Sequence, residues 1–225
     1  MKRTNWIGLL LIGCLPLTAQ ANVVLVETSD AGWYNDSIGT VLNLSNTGVD
    51  DANAYFPVNN DSSTSFATAP DLSAADSVLG DWLNDPLGTA TTKAEWTYES
   101  AIPNAWTPGT EVAVMYQFDT LGATNVVASF GVDNGIFAWL DGVYLGGARA
   151  GGSYFLGEHV FNIGDLSAGT HFLQILLEDH GGSNGYAVEI TADEFIPGPP
   201  PSVPAPAPLG LLLLGLAGLL LRKRV

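Results

Sequence analysis

The feature that most constrains this chain is an apolar/polar alternation of period two that recurs from residue 95 to residue 191. Successive side chains of a strand point to opposite faces, so alternation places one face against a core and the other in water, whereas a helix requires a period near 3.6. Residues 111–119 put Val112, Val114, Tyr116 and Phe118 on one face, and residues 171–179 do the same with Leu173, Ile175 and Leu177. Residues 95–99 alternate cleanly, and 126–132, 136–140, 159–163 and 186–191 are further candidate strands. Near the start, 23–27 and 40–44 are expected to pair.

Turn chemistry agrees. Asp141-Gly142 between two apolar runs is a two-residue hairpin signal, because glycine accepts positive φ without steric cost. Asp133-Asn134-Gly135 and Ser183-Asn184-Gly185 read as turns, and Gly164 to Gly169 as a longer loop. Residues 59–94 carry the least pattern. A short helix is expected within 72–83, with Asp71 as its N-cap. The expectation is an all-β fold, an antiparallel β-sandwich or jelly roll over residues 22–196, flanked by a signal peptide and a C-terminal hydrophobic helix. About 175 residues suffice for one core without metals or disulfides.

Charge separates the chain into three parts. All 23 acidic residues lie between Glu27 and Glu194, where Lys93 and Arg149 are the only basic residues. The other five basic residues are Lys2, Arg3, Arg222, Lys223 and Arg224. So acidic a body excludes nucleic acid as a partner, since phosphate binding needs a basic surface.

The ends read as addresses. Residues 1–21 have a basic start, an apolar run from Trp6 to Leu17, and a small-x-small cleavage site at Ala19-Gln20-Ala21, the form of a signal peptide cut by signal peptidase. Cys14, the only cysteine, lies within it; Leu11-Ile12-Gly13-Cys14 also resembles a lipoprotein box. Residues 197–208 form a proline-rich extended spacer. Residues 209–221 contain only Leu, Gly and Ala and form a short expected transmembrane helix, about 20 Å long against a hydrocarbon core of about 30 Å. Residues 222–225 are the basic tail, which stays cytoplasmic by the positive-inside rule.

A proline motif (Val203, Pro204, Ala205, Pro206), an apolar helix and a basic cluster (Arg222, Lys223, Arg224) resemble the PEP-CTERM sorting signal of Gram-negative bacteria. The common form of that motif has Glu where this chain has Ala205. The resemblance implies processing by an exosortase, transient anchoring in the inner membrane by the C-terminal helix, and delivery to the cell surface or extracellular matrix. The run from Val126 to Ile190, with Asp133-Asn134-Gly135, Leu140-Asp141-Gly142-Val143 and Leu166-Ser-Ala-Gly169 between strands, resembles the later half of a galactose-binding-like jelly roll. That resemblance implies a fold often used for carbohydrate binding, and no catalytic residue comes with it.

The residues offer little catalytic chemistry. His159, His171 and His180 form no His-x-x-x-His spacing, so zinc and haem have no support. Gly181-Gly-Ser183-Asn-Gly185 has the letters of a hydrolase elbow, but a strand pattern follows where that motif needs a helix. Acid-rich loops suggest calcium as the only candidate cofactor, with Asp133, Asn134 and Asp141 as one set. The related sugar-binding jelly rolls imply Glu27 and Asp193 as the other. Trp33, Tyr34, Trp82, Trp96, Trp106, Trp139, Tyr144 and Tyr154 are aromatic residues able to stack on a sugar or fill a core. Trp139 and Tyr144 flank the Asp141-Gly142 turn and are the preferred ligand-binding pair. The resulting expectation is a non-catalytic surface or matrix module that binds polysaccharide. A structural matrix protein without a small ligand and a secreted hydrolase are the alternatives.

Overall fold

A computed structural model describes residues 22–44, 55–56, 62–150 and 152–195. The cleavage site at Ala19 and Ala21, the spacer, the sorting motif, the apolar helix and the basic tail lie outside the described residues.

Among the described residues nine strands run in the order β1 (Val23–Glu27), β2 (Gly32–Gly39), β3 (Thr64–Phe66), β4 (Thr97–Glu99), β5 (Glu111–Leu140), β6 (Val143–Ala150), β7 (His159–Glu178), β8 (Gly185–Ala192) and β9 (Glu194–Phe195). Every pairing is antiparallel. β5 and β7 are long enough to serve two layers. The first layer holds β4, β2, β5 residues 111–119, β7 residues 171–178, β5 residues 135–140, β6 and β3 in spatial order. The second holds β1, β8, β5 residues 127–133 and β7 residues 159–164. The result is the expected antiparallel β-sandwich.

The alternating residues fill the space between the layers. Val112, Val114, Tyr116, Ile136, Ala138, Leu173, Ile175 and Leu177 face Ala128, Phe130, Val132, Tyr186, Val188 and Ile190, all buried. The opposite face of the first layer is also buried. Ala113, Met115, Phe137, Trp139 and Leu176 pack under Ile38, Phe56, Leu79, Trp82 and Trp96. Two short helices belong to this covering segment, α1 (Asp76–Leu79), preceded by a 3-10 turn over Ser73–Ala75, and α2 (Pro86–Thr92). The Asp71 carboxylate accepts the Ser73 backbone N–H at 2.9 Å ahead of the 3-10 turn. At α2, Asp85 accepts from the Gly88 N–H and Pro86 occupies the first turn, where its missing N–H costs nothing.

Three expectations change. Residues 40–44 form no strand; β1 pairs with β8 instead. Asp133-Asn134-Gly135 is no hairpin turn but the crossover where β5 passes from one layer to the other, and the Asp133–Asn134 peptide is cis. The 164–169 segment is likewise part of β7, which follows β5 around the bend with their ladder retained from Ala123–Leu166 to Thr120–Gly169. Asp141-Gly142 is the tight turn predicted, with φ of +50° and +75°.

The sandwich has two poles. β1 begins and β8 ends at one of them, where Val23 pairs with Ala192 and β9 pairs with Ala123 and Thr124. We call this the base. At the other, the apex, Asp133 pairs with Gly185 and Glu178 lies between Glu111 and Gly135. Along β8 the two poles are about 23 Å apart at 3.3 Å per residue.

Candidate functional site

Three loops converge at the apex, and a chain of hydrogen bonds ties them together. Asp133 Oδ1 accepts from Gly152 N (3.1 Å) and from Asn134 Nδ2 (2.8 Å). Asn134 Oδ1 accepts the His180 backbone N–H at 3.3 Å. Asp179 Oδ2 accepts from Gly109 N (2.6 Å) and Gly181 N (3.1 Å). Asn184 closes the 180–184 loop against Trp106, accepting its N–H and donating to its carbonyl.

The loop from 152 to 158 lies across the second layer. Glu158 clamps it by accepting the Val132 backbone N–H (3.2 Å) and the Ser153 hydroxyl. Two glycines provide the seat. A Cβ at Gly131 would stand 2.3 Å from the Phe155 carbonyl oxygen, and one at Gly185 would stand 2.5 Å from the Tyr154 ring. So seated, the loop presents Tyr154 and Phe155 at 41% and 74% exposure, with Leu156 and Val160 exposed beside them. Gly152, Ser153, Tyr154 and Phe155 line a shallow recess there. Exposed aromatic rings beside polar groups are what saccharide stacking uses.

Beneath the loops lies a buried acidic group. Glu178 is 1% exposed, and among the described residues neither of its carboxyl oxygens has a hydrogen-bond partner; nor has Asp179 Oδ1. Burial, with the neighbouring Asp179 and Glu111 charges, pushes the Glu178 carboxyl up to about 9, so it is neutral at pH 7. Burial also raises Glu111, whose oxygens accept the Leu42 and Leu44 backbone N–H groups. His159 is held below its ordinary value by burial.

The remaining expected site residues fall elsewhere. Trp139 and Tyr144 are cross-strand partners with rings 5.5 Å apart, but Trp139 is 2% exposed, packed edge-on against Trp82. The Tyr144 hydroxyl donates to the Phe66 carbonyl. The pair belongs to the second core, because the covering segment buries this face of the first layer, and it offers no open platform.

Of the five calcium candidates, only Asp133 and Asn134 come together. Asp141 lies at the base pole, seven residues along the strand from Asn134, about 23 Å away. Its oxygens are taken by His171 Nδ1 (2.7 Å) and the Phe172 N–H (2.8 Å). Glu27 pairs with Glu189, four residues from Asp193, so the two ends are about 13 Å apart. Asp193 instead accepts from Asn125 Nδ2 in a base recess shared with Asp165 and Glu194. Among the described residues no group of three or more His, Cys, Asp or Glu side chains is placed to hold a metal ion. The proposed calcium sets therefore do not fit this arrangement. Ser183 sits in the exposed loop between β7 and β8, with a strand on each side and no helix after it.

The sequence reading passed over Phe155, Glu158 and Asp179. The signal for the first was the apolar triplet Tyr154-Phe155-Leu156 between glycines, outside any alternating run.

No family model and no curated protein matches this chain. Among solved structures it is similar to the β-glucuronidase of Bifidobacterium dentium complexed with coumarin-3-O-glucuronide (TM-score 0.41, 12% identity), over 79% of this chain and 31% of that one. A β-glucuronidase of an uncultured Clostridium sp. gives TM-score 0.41 and 9% identity, over 80% of this chain and 30% of that one. The PA14 domain of the MpAFP antifreeze protein gives TM-score 0.34 and 11% identity, over 78% and 86%. The chain thus spans about a third of the length of the two glucuronidases.

Proposed function

We propose that this chain is an exported, non-catalytic β-sandwich module that binds glycan at its apex loops and is sorted to the cell surface or extracellular matrix by an exosortase-type system. One observation carries the binding reading. Tyr154 and Phe155 are held exposed on a loop clamped by Glu158 and seated on Gly131 and Gly185, at the pole opposite both ends of the sandwich. Leaving a large aromatic ring in water forgoes roughly 1.5–3 kcal/mol of burial, and a sugar face recovers part of it. The described sandwich ends at Phe195 at the base, so attachment through the chain that follows would turn the apex outward, toward matrix polymer.

The test is a glycan array together with pull-down on native exopolysaccharide, each with and without calcium. Binding by the wild type that is lost in Phe155→Ala/Tyr154→Ala supports the reading. No binding under either condition refutes it and leaves the structural matrix protein in its place. Sorting has a separate test. Removal of residues 203–225 should release the protein to the medium, and loss of the exosortase should leave Val225 present by mass spectrometry.

A further inference from the structure

The two layers differ in what covers them. The outer face of the first layer is buried under the covering segment. The outer face of the second carries the 152–158 loop at its apex end, and below that loop its outward side chains stay open. Alternation sends Ala128, Phe130 and Val132 into the core, so Val127, Ser129 and Gly131 point outward. The Phe155 carbonyl lies over Gly131, where a Cβ would stand 2.3 Å from it, so the aromatic loop sits on this same face. Ser129 pairs with Val160 and Val127 with Asn162; the two β7 residues are exposed and the two β5 residues half-buried. From Gly131 to Val127 this strip runs about 13 Å, room for roughly three pyranose rings end to end.

Resting on the glycan-binding reading above, we infer that the glycan site continues from the Tyr154–Phe155 loop down this strip and holds an extended stretch of polysaccharide, not a single sugar. The strip alternates what a saccharide face and its hydroxyls need. Val160 and Val127 offer apolar surface, while Ser129 and Asn162 offer a hydroxyl and an amide. It is continuous with the Gly152–Phe155 recess, so a chain stacked on the loop rings has further contacts in one direction. Its bounds favour a slender polymer over a second copy of the chain. On one side Ser129 borders Glu189, which pairs with Glu27; on the other, residues 159–164 are the last strand of the layer. Two strands wide, the strip covers on the order of 130 Å², far below the roughly 800 Å² per partner of a stable dimer.

A length series tests this. Native exopolysaccharide is partially hydrolysed, sized into fractions of two to eight sugar units and titrated calorimetrically against the full chain. Affinity should rise at least about tenfold from two units to four or five and then level off. Ser129→Arg, which fills the strip, should weaken the six-unit fraction about tenfold and leave the two-unit fraction unchanged. Asn162→Ala, at an exposed position that folding tolerates, should do the same by about threefold. Phe155→Ala/Tyr154→Ala should weaken every fraction. Affinity independent of length, or strip variants that affect short and long fractions equally, overturns the inference and leaves glycan binding at the loop intact. Sedimentation showing a dimer that Ser129→Arg dissociates assigns the strip to a second copy and also overturns it. Failure of every fraction and of the intact polymer to bind overturns the glycan reading itself, and this inference with it.

Discussion

The Tyr154 ring lies directly against Gly185, close enough that a methyl group at residue 185 would stand 2.5 Å from ring atom Cε1. Gly185 is the first residue of β8 and pairs with Asp133, so the glycine links the aromatic loop to the acidic crossover. Gly131, two residues before Asp133, makes the same allowance for the loop backbone.

The two glycines should therefore respond differently. At Gly185→Ala the obstacle is a side-chain ring that can swing, so we expect a stability loss of about 1 kcal/mol and a clear loss of glycan affinity. At Gly131→Ala the obstacle is backbone, and overpacking of that kind costs about 2–3 kcal/mol. Urea denaturation beside a binding titration separates the two; equal stability losses would contradict the assignment of ring and backbone contacts.

Glu178 should make the protein less stable as pH rises. Its folded carboxyl sits near 9 and an unfolded glutamate near 4.5, so its contribution is fully present below 4.5 and is lost as pH rises through 9. Glu178→Gln keeps the shape and removes the ionisation. Relative to wild type it should gain on the order of 2–4 kcal/mol at pH 8 and change little at pH 4. Urea midpoints across that range check this, and parallel curves would refute it.

His171 works in the same direction by a different cause. Burial opposes its charge, but the Asp141 hydrogen bond at 2.7 Å and the Ser167 carbonyl at 3.0 Å outweigh burial and raise its pKa. Stability from the pair is therefore complete below pH 6.5 and lost as pH climbs through the folded value. Asp141 is 42% exposed, so the screened contribution is about 0.5–1 kcal/mol. His171→Gln should cost that much more at pH 5.5 than at pH 8.5, measured by thermal unfolding.

Trp139 should matter for folding and not for ligand. Trp139→Phe, buried among Trp82, Phe137 and Tyr144, should cost about 1–3 kcal/mol with glycan affinity unchanged where the protein remains folded. Loss of binding in a folded Trp139→Phe protein would restore that residue as a platform.

What could be read from the sequence follows from what alternation encodes. Val112, Val114, Tyr116 and Phe118 declared their face because each residue alone sets its side, and Asp141-Gly142 declared its turn because positive φ needs particular residues. The crossover at Asp133–Gly135 reads as a turn and the 164–169 bend as a loop, because a strand that bends with its partner keeps its ladder and uses the same glycines as a hairpin. Trp139 was misplaced for a related reason. The unbroken run Ile136 to Leu140 marks a strand buried on both faces, and the covering segment supplied the second core. The apex depends on contacts between residues far apart in the chain, such as Asp133 with Gly152, 19 positions apart, and Asp179 with Gly109, 70 positions apart, which no local pattern carries.

The most direct test of the account is the affinity of Phe155→Ala/Tyr154→Ala for whichever glycan the wild type binds, measured beside its melting temperature. Phe155 is 74% exposed and Tyr154 is 41% exposed with its ring seated on Gly185, so the account predicts a melting temperature lowered by no more than about 2–4 °C and an affinity loss of at least tenfold. Undiminished binding by a folded double variant would contradict it.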